Sequence, residues 1–130
     1  MFESSRKIYK KILIDVPCSG TGVIGRRPDI KWRLKEGDIK KMSVLQKSIL
    51  ANMSKYLEPG GKIVYSTCSL EKEENEDVIN DFLAKRKDFK LVVSNSLLPD
   101  NWITSNGSMF AFPNKTKTDG LFAAVLQKVN

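Results

Sequence analysis

Lys11-Ile12-Leu13-Ile14-Asp15-Val16-Pro17-Cys18 is the stretch whose reading decides the fold. Its β-branched and leucine run, without polar alternation and closed by proline, suits a buried strand of a parallel sheet. Lys62-Ile63-Val64-Tyr65-Ser66-Thr67 is a second run of the same kind, with Cys68-Ser69 just past its end. Between the two, Asp38 is a good N-cap, and Met42, Leu45, Ile49, Met53 and Tyr56 recur at spacings of 3 and 4, which predicts one apolar helical face. Pro59-Gly60-Gly61 stops that helix and turns the chain into the second strand. A second helix is predicted after Cys68, with Val78, Ile79, Phe82 and Leu83 as its stripe. Its acidic residues come early and Lys85, Arg86 and Lys87 late, as the helix dipole prefers. Residues 89–93 read as a further strand. Residues 108–112 and 121–126, joined by the turn-rich link 113–120, read as antiparallel neighbours. Strand, helix, strand, helix and a terminal strand pair make an α/β fold with a mixed sheet.

At 130 residues the chain has room for one domain. It carries 22 Lys plus Arg against 15 Asp plus Glu, a net charge of +7 that makes a polyanionic partner plausible. No apolar run approaches the roughly 20 residues that span a bilayer, and residues 1–10 lack the apolar core of an export signal, so no membrane contact and a cytoplasmic location are expected. Two cysteines and no histidine leave no ordinary zinc site, no disulfide framework and no histidine-based acid/base chemistry; no metal is expected.

Gly20-Thr21-Gly22-Val23-Ile24-Gly25 follows the first strand and matches a dinucleotide fingerprint in letters. That motif works only where a helix starts inside it, and Pro28 together with the lack of amphipathic pattern before Asp38 argues for a loop instead. The more informative feature is that Asp15, Pro17, Cys18 and Cys68 collect at the carboxyl ends of two strands, where open parallel sheets place ligands and reactive groups. A single cysteine there is most often an inert packing residue. Two at matching ends point to thiol chemistry in one cleft. Residues 26–35 hold Arg26, Arg27, Lys31, Arg33 and Lys35 against Asp29, with Trp32 among them as a candidate buried anchor. Such cations suit phosphate contacts.

Asp15-Val16-Pro17-Cys18-Ser19-Gly20-Thr21-Gly22, then Pro28-Asp29-Ile30-Lys31-Trp32, Pro59-Gly60-Gly61, Tyr65-Ser66-Thr67-Cys68-Ser69 with Glu73-Glu74-Asn75-Glu76, and Asp119-Gly120-Leu121-Phe122 together resemble the S-adenosylmethionine-dependent RNA 5-methylcytosine methyltransferases of the Sun/nucleolar-protein, RsmB-like family. The resemblance runs from about residue 11 to the C-terminus. It implies that Cys68 is the nucleophile that adds to carbon 6 of a cytosine and that Cys18 helps to eliminate the enzyme from the product, with room for the pyrimidine ring between the two sulfurs. It implies that Asp15 lies by the cofactor and hydrogen-bonds the base, with Pro17 beside it, and that Arg26, Arg27, Lys31 and Arg33 contact RNA, expected to be ribosomal. A lowered thiol pKa is needed, for which neighbouring cations or the N-terminus of the helix after Cys68 would serve.

A full member of that family begins its catalytic domain with a strand, a glycine-rich turn and two further strands, none of which precedes Lys11. The expectation is therefore one unit, residues 1–130, forming the C-terminal half of a Rossmann-like class I methyltransferase domain without the cofactor-binding half or the upstream RNA-binding region. Such a piece is expected to bind S-adenosylmethionine poorly, to be inactive alone, and to self-associate through the edge strand 11–17. A basic RNA-binding fragment without catalysis is the alternative.

Overall fold

The two strand-forming runs lie side by side and parallel. In a computed structural model that describes residues 7–24, 27–35, 37–93, 100–104, 106–111, 113 and 119–129, β1 (Tyr9–Asp15) pairs with β2 (Leu57–Thr67) from Lys11↔Lys62 to Asp15↔Ser66. Antiparallel to β2 runs β5 (Leu121–Lys128), whose other edge is shared by β3 (Phe89–Val92) and β4 (Met109–Ala111). The five-stranded sheet has the order β1-β2-β5-β3, with β4 on β5. This is the mixed sheet expected from the sequence, with a parallel pair and a terminal antiparallel pair.

Helices α2 (Asp38–Ser54) and α3 (Glu76–Lys85) cover one face. Leu50, Val78, Ile79 and Phe82 pack there against Ile63 and Tyr65 of β2 and Phe122, Ala124 and Leu126 of β5. Each such aliphatic or aromatic side chain contributes about 1.5–3 kcal/mol by leaving water. Among the described residues the side chains of β1 that point away from the helices are exposed, so β1 is not buried on both sides as its sequence suggests. Leu13 is 72% exposed while its neighbour Ile14 is buried.

Three local expectations are revised. The inward side of α2 is not Met42, Leu45, Ile49, Met53 and Tyr56 but Ser43, Gln46, Leu50 and Ser54, one residue round the helix. Ile49 and Met53 flank it, and Val44 and Leu45 face solvent. The small serines let the helix lie close, and Gln46 is drawn inward by polar partners described below. Pro59-Gly60-Gly61 is not a plain helix-to-strand turn either. The β1–β2 register jumps from Tyr9↔Leu57 to Lys11↔Lys62, so residues 58–61 form a bulge within β2, with Gly60 at φ 82°. The segment expected to be a long loop contains a three-residue 3-10 turn, Thr21–Val23, and a short helix, α1 (Asp29–Arg33).

Candidate active site

The register of β1 and β2 sets the site. Asp15 lies opposite Ser66, and the Val16 amide donates to the Ser66 carbonyl at 3.1 Å, so both strands end at the same level. Two residues further on, Cys18 Sγ and Cys68 Sγ stand 3.2 Å apart as free thiols. Burial, and then the hydrogen bond to Cys68, push the Cys18 thiol up to about 12. Cys18 therefore keeps its proton at neutral pH, in a contact where either sulfur can donate. The contact revises one expectation: a ring needs about 3.5 Å to each sulfur, so no pyrimidine fits between them. A base has to reach the pair from the side.

Backbone amides do not reach the Cys68 sulfur from its own loop. Ser69 N donates to Thr67 Oγ1, Leu70 N to Thr21 Oγ1 and Glu71 N to Ser69 Oγ. The helix expected to begin after Cys68 starts as α3 only at Glu76, after a 3-10 turn at Lys72–Glu74. Loop geometry is instead fixed by close backbone approach. Gly22 N donates to the Cys68 carbonyl at 2.8 Å, and the Gly22 carbonyl accepts from Gly120 N at 2.6 Å. A Cβ on Gly22 would lie 2.5 Å from the Cys68 oxygen and 2.6 Å from the Gly120 oxygen, so only glycine fits. This also disposes of the dinucleotide reading, because the Gly22 amide is already engaged and no α-helix starts there.

Beneath the thiols lies a polar cluster whose centre the sequence reading missed. Glu74, grouped there with the acidic start of a helix, is fully buried. It accepts from Ser19 N, Ser19 Oγ, Ser69 Oγ and Gln46 Nε2. Its backbone carbonyl accepts from Tyr65 OH at 2.6 Å, and burial pushes that phenol well above its ordinary range. Thr67 donates to Asn75 Oδ1, and Asn75 Nδ2 to the Ser69 carbonyl. No local pattern reveals these contacts, since Glu74 and Ser19 are 55 residues apart in the chain.

Asp15 is exposed, and the one hydrogen bond its carboxylate makes among the described residues is from Ser66 Oγ at 3.4 Å. Spare acceptor capacity at a strand end, beside exposed Pro17, fits the donor groups of a base or a cofactor. A cleft of about 250 Å³ opens on the Cys18 side, lined by Ile30, Arg33, Leu34, Lys41 and Met42 among others. A second, of about 400 Å³, opens on the Cys68 side between Val23, Trp102, Ala111, Asp119, Gly120 and Leu121. Arg27, Lys31 and Arg33 are exposed on or next to α1, with Arg33 3.0 Å and Arg27 3.6 Å from Asp29. Arg26 lies outside the described residues. Trp32 does not anchor the loop: it is 81% exposed, with the Lys31 ammonium 5.6 Å from its ring centre, and Ile30 is buried instead. Among the described residues no helix is long and apolar enough to cross a membrane.

A parallel strand pair extended by antiparallel strands, with reactive groups at its carboxyl ends, is part of a class I methyltransferase fold. Residues 2–127 match the family model described as 16S rRNA methyltransferase RsmB/F. The ribosomal RNA small subunit methyltransferase B of Vibrio cholerae is 41% identical over 120 residues, covering 92% of this chain and 26% of that protein. The crystal structure of PH0851 superposes with a TM-score of 0.87 at 40% identity, over 95% of this chain and 27% of that one. NSun6 from Pyrococcus horikoshii, solved with SFG, gives 0.79 at 32% identity over 95% of this chain and 31% of that one. The chain belongs to the RsmB/F family of 16S rRNA methyltransferases, and it spans about a quarter of the length of the Vibrio relative.

Proposed function

We propose that this chain carries the reactive end of an RNA cytosine-C5 methyltransferase acting on ribosomal RNA. The observation that supports it is the 3.2 Å contact between Cys18 and Cys68 at the ends of paired parallel strands. The Cys68 sulfur bonds to carbon 6 of a cytosine, and the electron pair of the 5,6 double bond moves to carbon 5, which becomes nucleophilic. Asp15 accepts a hydrogen bond from the base and holds the ring. S-adenosylmethionine supplies the methyl group when bound, and Asp15 and Pro17 are the residues that would stand beside it. Solvent water then takes the proton from carbon 5, the pair it leaves re-forms the 5,6 double bond, and the carbon–sulfur pair departs on the Cys68 sulfur as a thiolate. The Cys18 thiol, still protonated, donates to the departing Cys68 sulfur and so favours release. Arg26, Arg27, Lys31 and Arg33 contact phosphates of a single-stranded or extruded segment.

Addition needs only the base and the thiolate, so adduct formation is separable from methyl transfer, which this chain alone is not expected to support. Incubation with a single-stranded 16S rRNA fragment, followed by a denaturing gel, tests the reading. Cys18→Ala is expected to accumulate a covalent RNA adduct, and Cys68→Ala to form none; absence of adduct from the wild type and Cys18→Ala alike overturns it. The second reading, RNA binding without catalysis, is favoured by the exposed Trp32 and Lys31. It predicts salt-sensitive binding that Cys68→Ala leaves intact, with no adduct from any variant. Self-association through β1 is proposed as well and is argued below.

A further inference from the structure

We propose that Glu74 is a positioning residue that holds the two thiols in register by fastening the residue after each cysteine to one carboxylate. Ser19 follows Cys18 and Ser69 follows Cys68, and both reach the same group. Oε1 accepts from Ser19 N at 2.8 Å and from Gln46 Nε2 at 3.0 Å, while Oε2 accepts from Ser19 Oγ at 2.6 Å and from Ser69 Oγ. The side chain is fully buried, and among the described residues no Lys or Arg forms an ion pair with it.

An isolated buried carboxylate is among the costliest groups in a protein interior unless every lone pair is engaged. The Ser19 amide and the Gln46 amide can only donate, and Ser69 Oγ, which accepts from Glu71 N at 2.9 Å, points its own hydrogen bond at Glu74. All four contacts place a donor against the carboxylate oxygens. Gln46 extends the clamp by donating from the same nitrogen to the Pro17 carbonyl at 2.8 Å, which fixes the peptide just before Cys18. The cysteine loops come from segments about fifty residues apart, and Glu74 is the carboxylate that both share. Thr21 Oγ1, which accepts from Leu70 N at 2.8 Å, and the Gly22–Cys68 backbone bond also join the loops, but neither engages the residue directly after Cys18. The fold can survive loss of the clamp while the sulfurs drift apart.

The inference rests on the two-thiol site described above but uses neither RNA nor methyl donor, so its failure is distinct from failure of the adduct experiment. The measured quantity is the effective concentration of Cys18 toward Cys68, read by mass spectrometry as the fraction of intramolecular disulfide in defined mixtures of reduced and oxidised glutathione. Glu74→Leu keeps the bulk and accepts nothing, and it should lower the effective concentration roughly tenfold or more. Glu74→Gln should stay within about threefold of wild type, because the serine hydroxyls can rotate to accept its amide. Ser69→Ala, which removes one tether and little volume, should lie between. Ile79→Ala, a core truncation that removes none of the clamp's hydrogen bonds, should lower the melting temperature and leave the effective concentration unchanged. A folded Glu74→Leu with the wild-type value overturns the proposal; where that variant does not fold, a wild-type value for Ser69→Ala does so. A fall in Ile79→Ala as large as in the clamp variants also overturns it.

Discussion

Cys18 differs from an ordinary surface thiol in where its proton sits. Burial first, and the Cys68 hydrogen bond second, raise it from 9.0 to about 12. The folded state therefore favours the protonated form. The resulting stabilisation is fully present below pH 9 and is lost as pH rises from 9 toward 12. Melting temperature followed across that window should fall more steeply for the wild type than for Cys18→Ala. Alkylation by iodoacetamide at pH 8, mapped by peptide mass, should be slow at Cys18. Equal rates at Cys18 and at a cysteine in an unfolded peptide would contradict the assignment. Gly22 is fixed by a different physical limit, since any Cβ meets two backbone oxygens that no rotamer change can move. Gly22→Ala is expected to cost about 2–3 kcal/mol in urea unfolding, with the Cys68 loop displaced. An undiminished midpoint would show that the three backbones have more slack than the 2.8 and 2.6 Å bonds imply.

At the scale of elements, α2 shows where a sequence pattern and a packed face part company. Its apolar residues recur at helical spacing, yet the side turned inward carries Ser43, Gln46 and Ser54 around Leu50. Leu45→Lys should therefore change stability by no more than about 0.5 kcal/mol, while Leu50→Ala should cost about 2–5 kcal/mol by chemical denaturation. The reverse order would restore the face that the periodicity predicts. The strands were legible because Ile12–Ile14 and Ile63–Tyr65 are unbroken β-forming runs ending in cysteine, and the same runs placed the thiols. α3 was legible because Val78, Ile79 and Phe82 recur on one side and all three are buried. Glu74 was not legible: a glutamate in an acidic stretch looks like solvent-facing charge, and its burial depends on donors brought from segments 28 and 55 residues away. Trp32 was misread for the converse reason. An aromatic residue in a polar loop suggests an anchor, but Ile30, two positions earlier, fills that place and leaves the indole in solvent.

At the scale of the molecule, the described sheet has α2 and α3 on one face and β1 at one end of its strand order. Among the described residues β1 pairs with β2 alone, so the backbone groups of its outer edge have no ladder partner there. Along it Ile8, Tyr9 and Leu13 are 57%, 49% and 72% exposed. The register continues inward from Leu13 to Val64 and Val125, an apolar row on the face away from α2 and α3. An exposed, regular, apolar edge is a template for another strand, and a second copy offers one of identical length and pattern. Lys7, Lys10 and Lys11 are the countervailing feature, since like charges brought together across such a junction repel. Their repulsion is screened by salt while strand pairing is not. Association should therefore strengthen as ionic strength rises, the opposite of the salt response expected for RNA binding through α1. Light scattering at rising protein concentration and at two salt concentrations should show a mass above the 14.7 kDa monomer. Leu13→Lys should restore the monomer without lowering the melting temperature, because the side chain it replaces makes little contact within its own chain. A wild type that stays monomeric at high concentration and high salt would remove β1 as an association surface and leave its exposure unexplained by self-pairing.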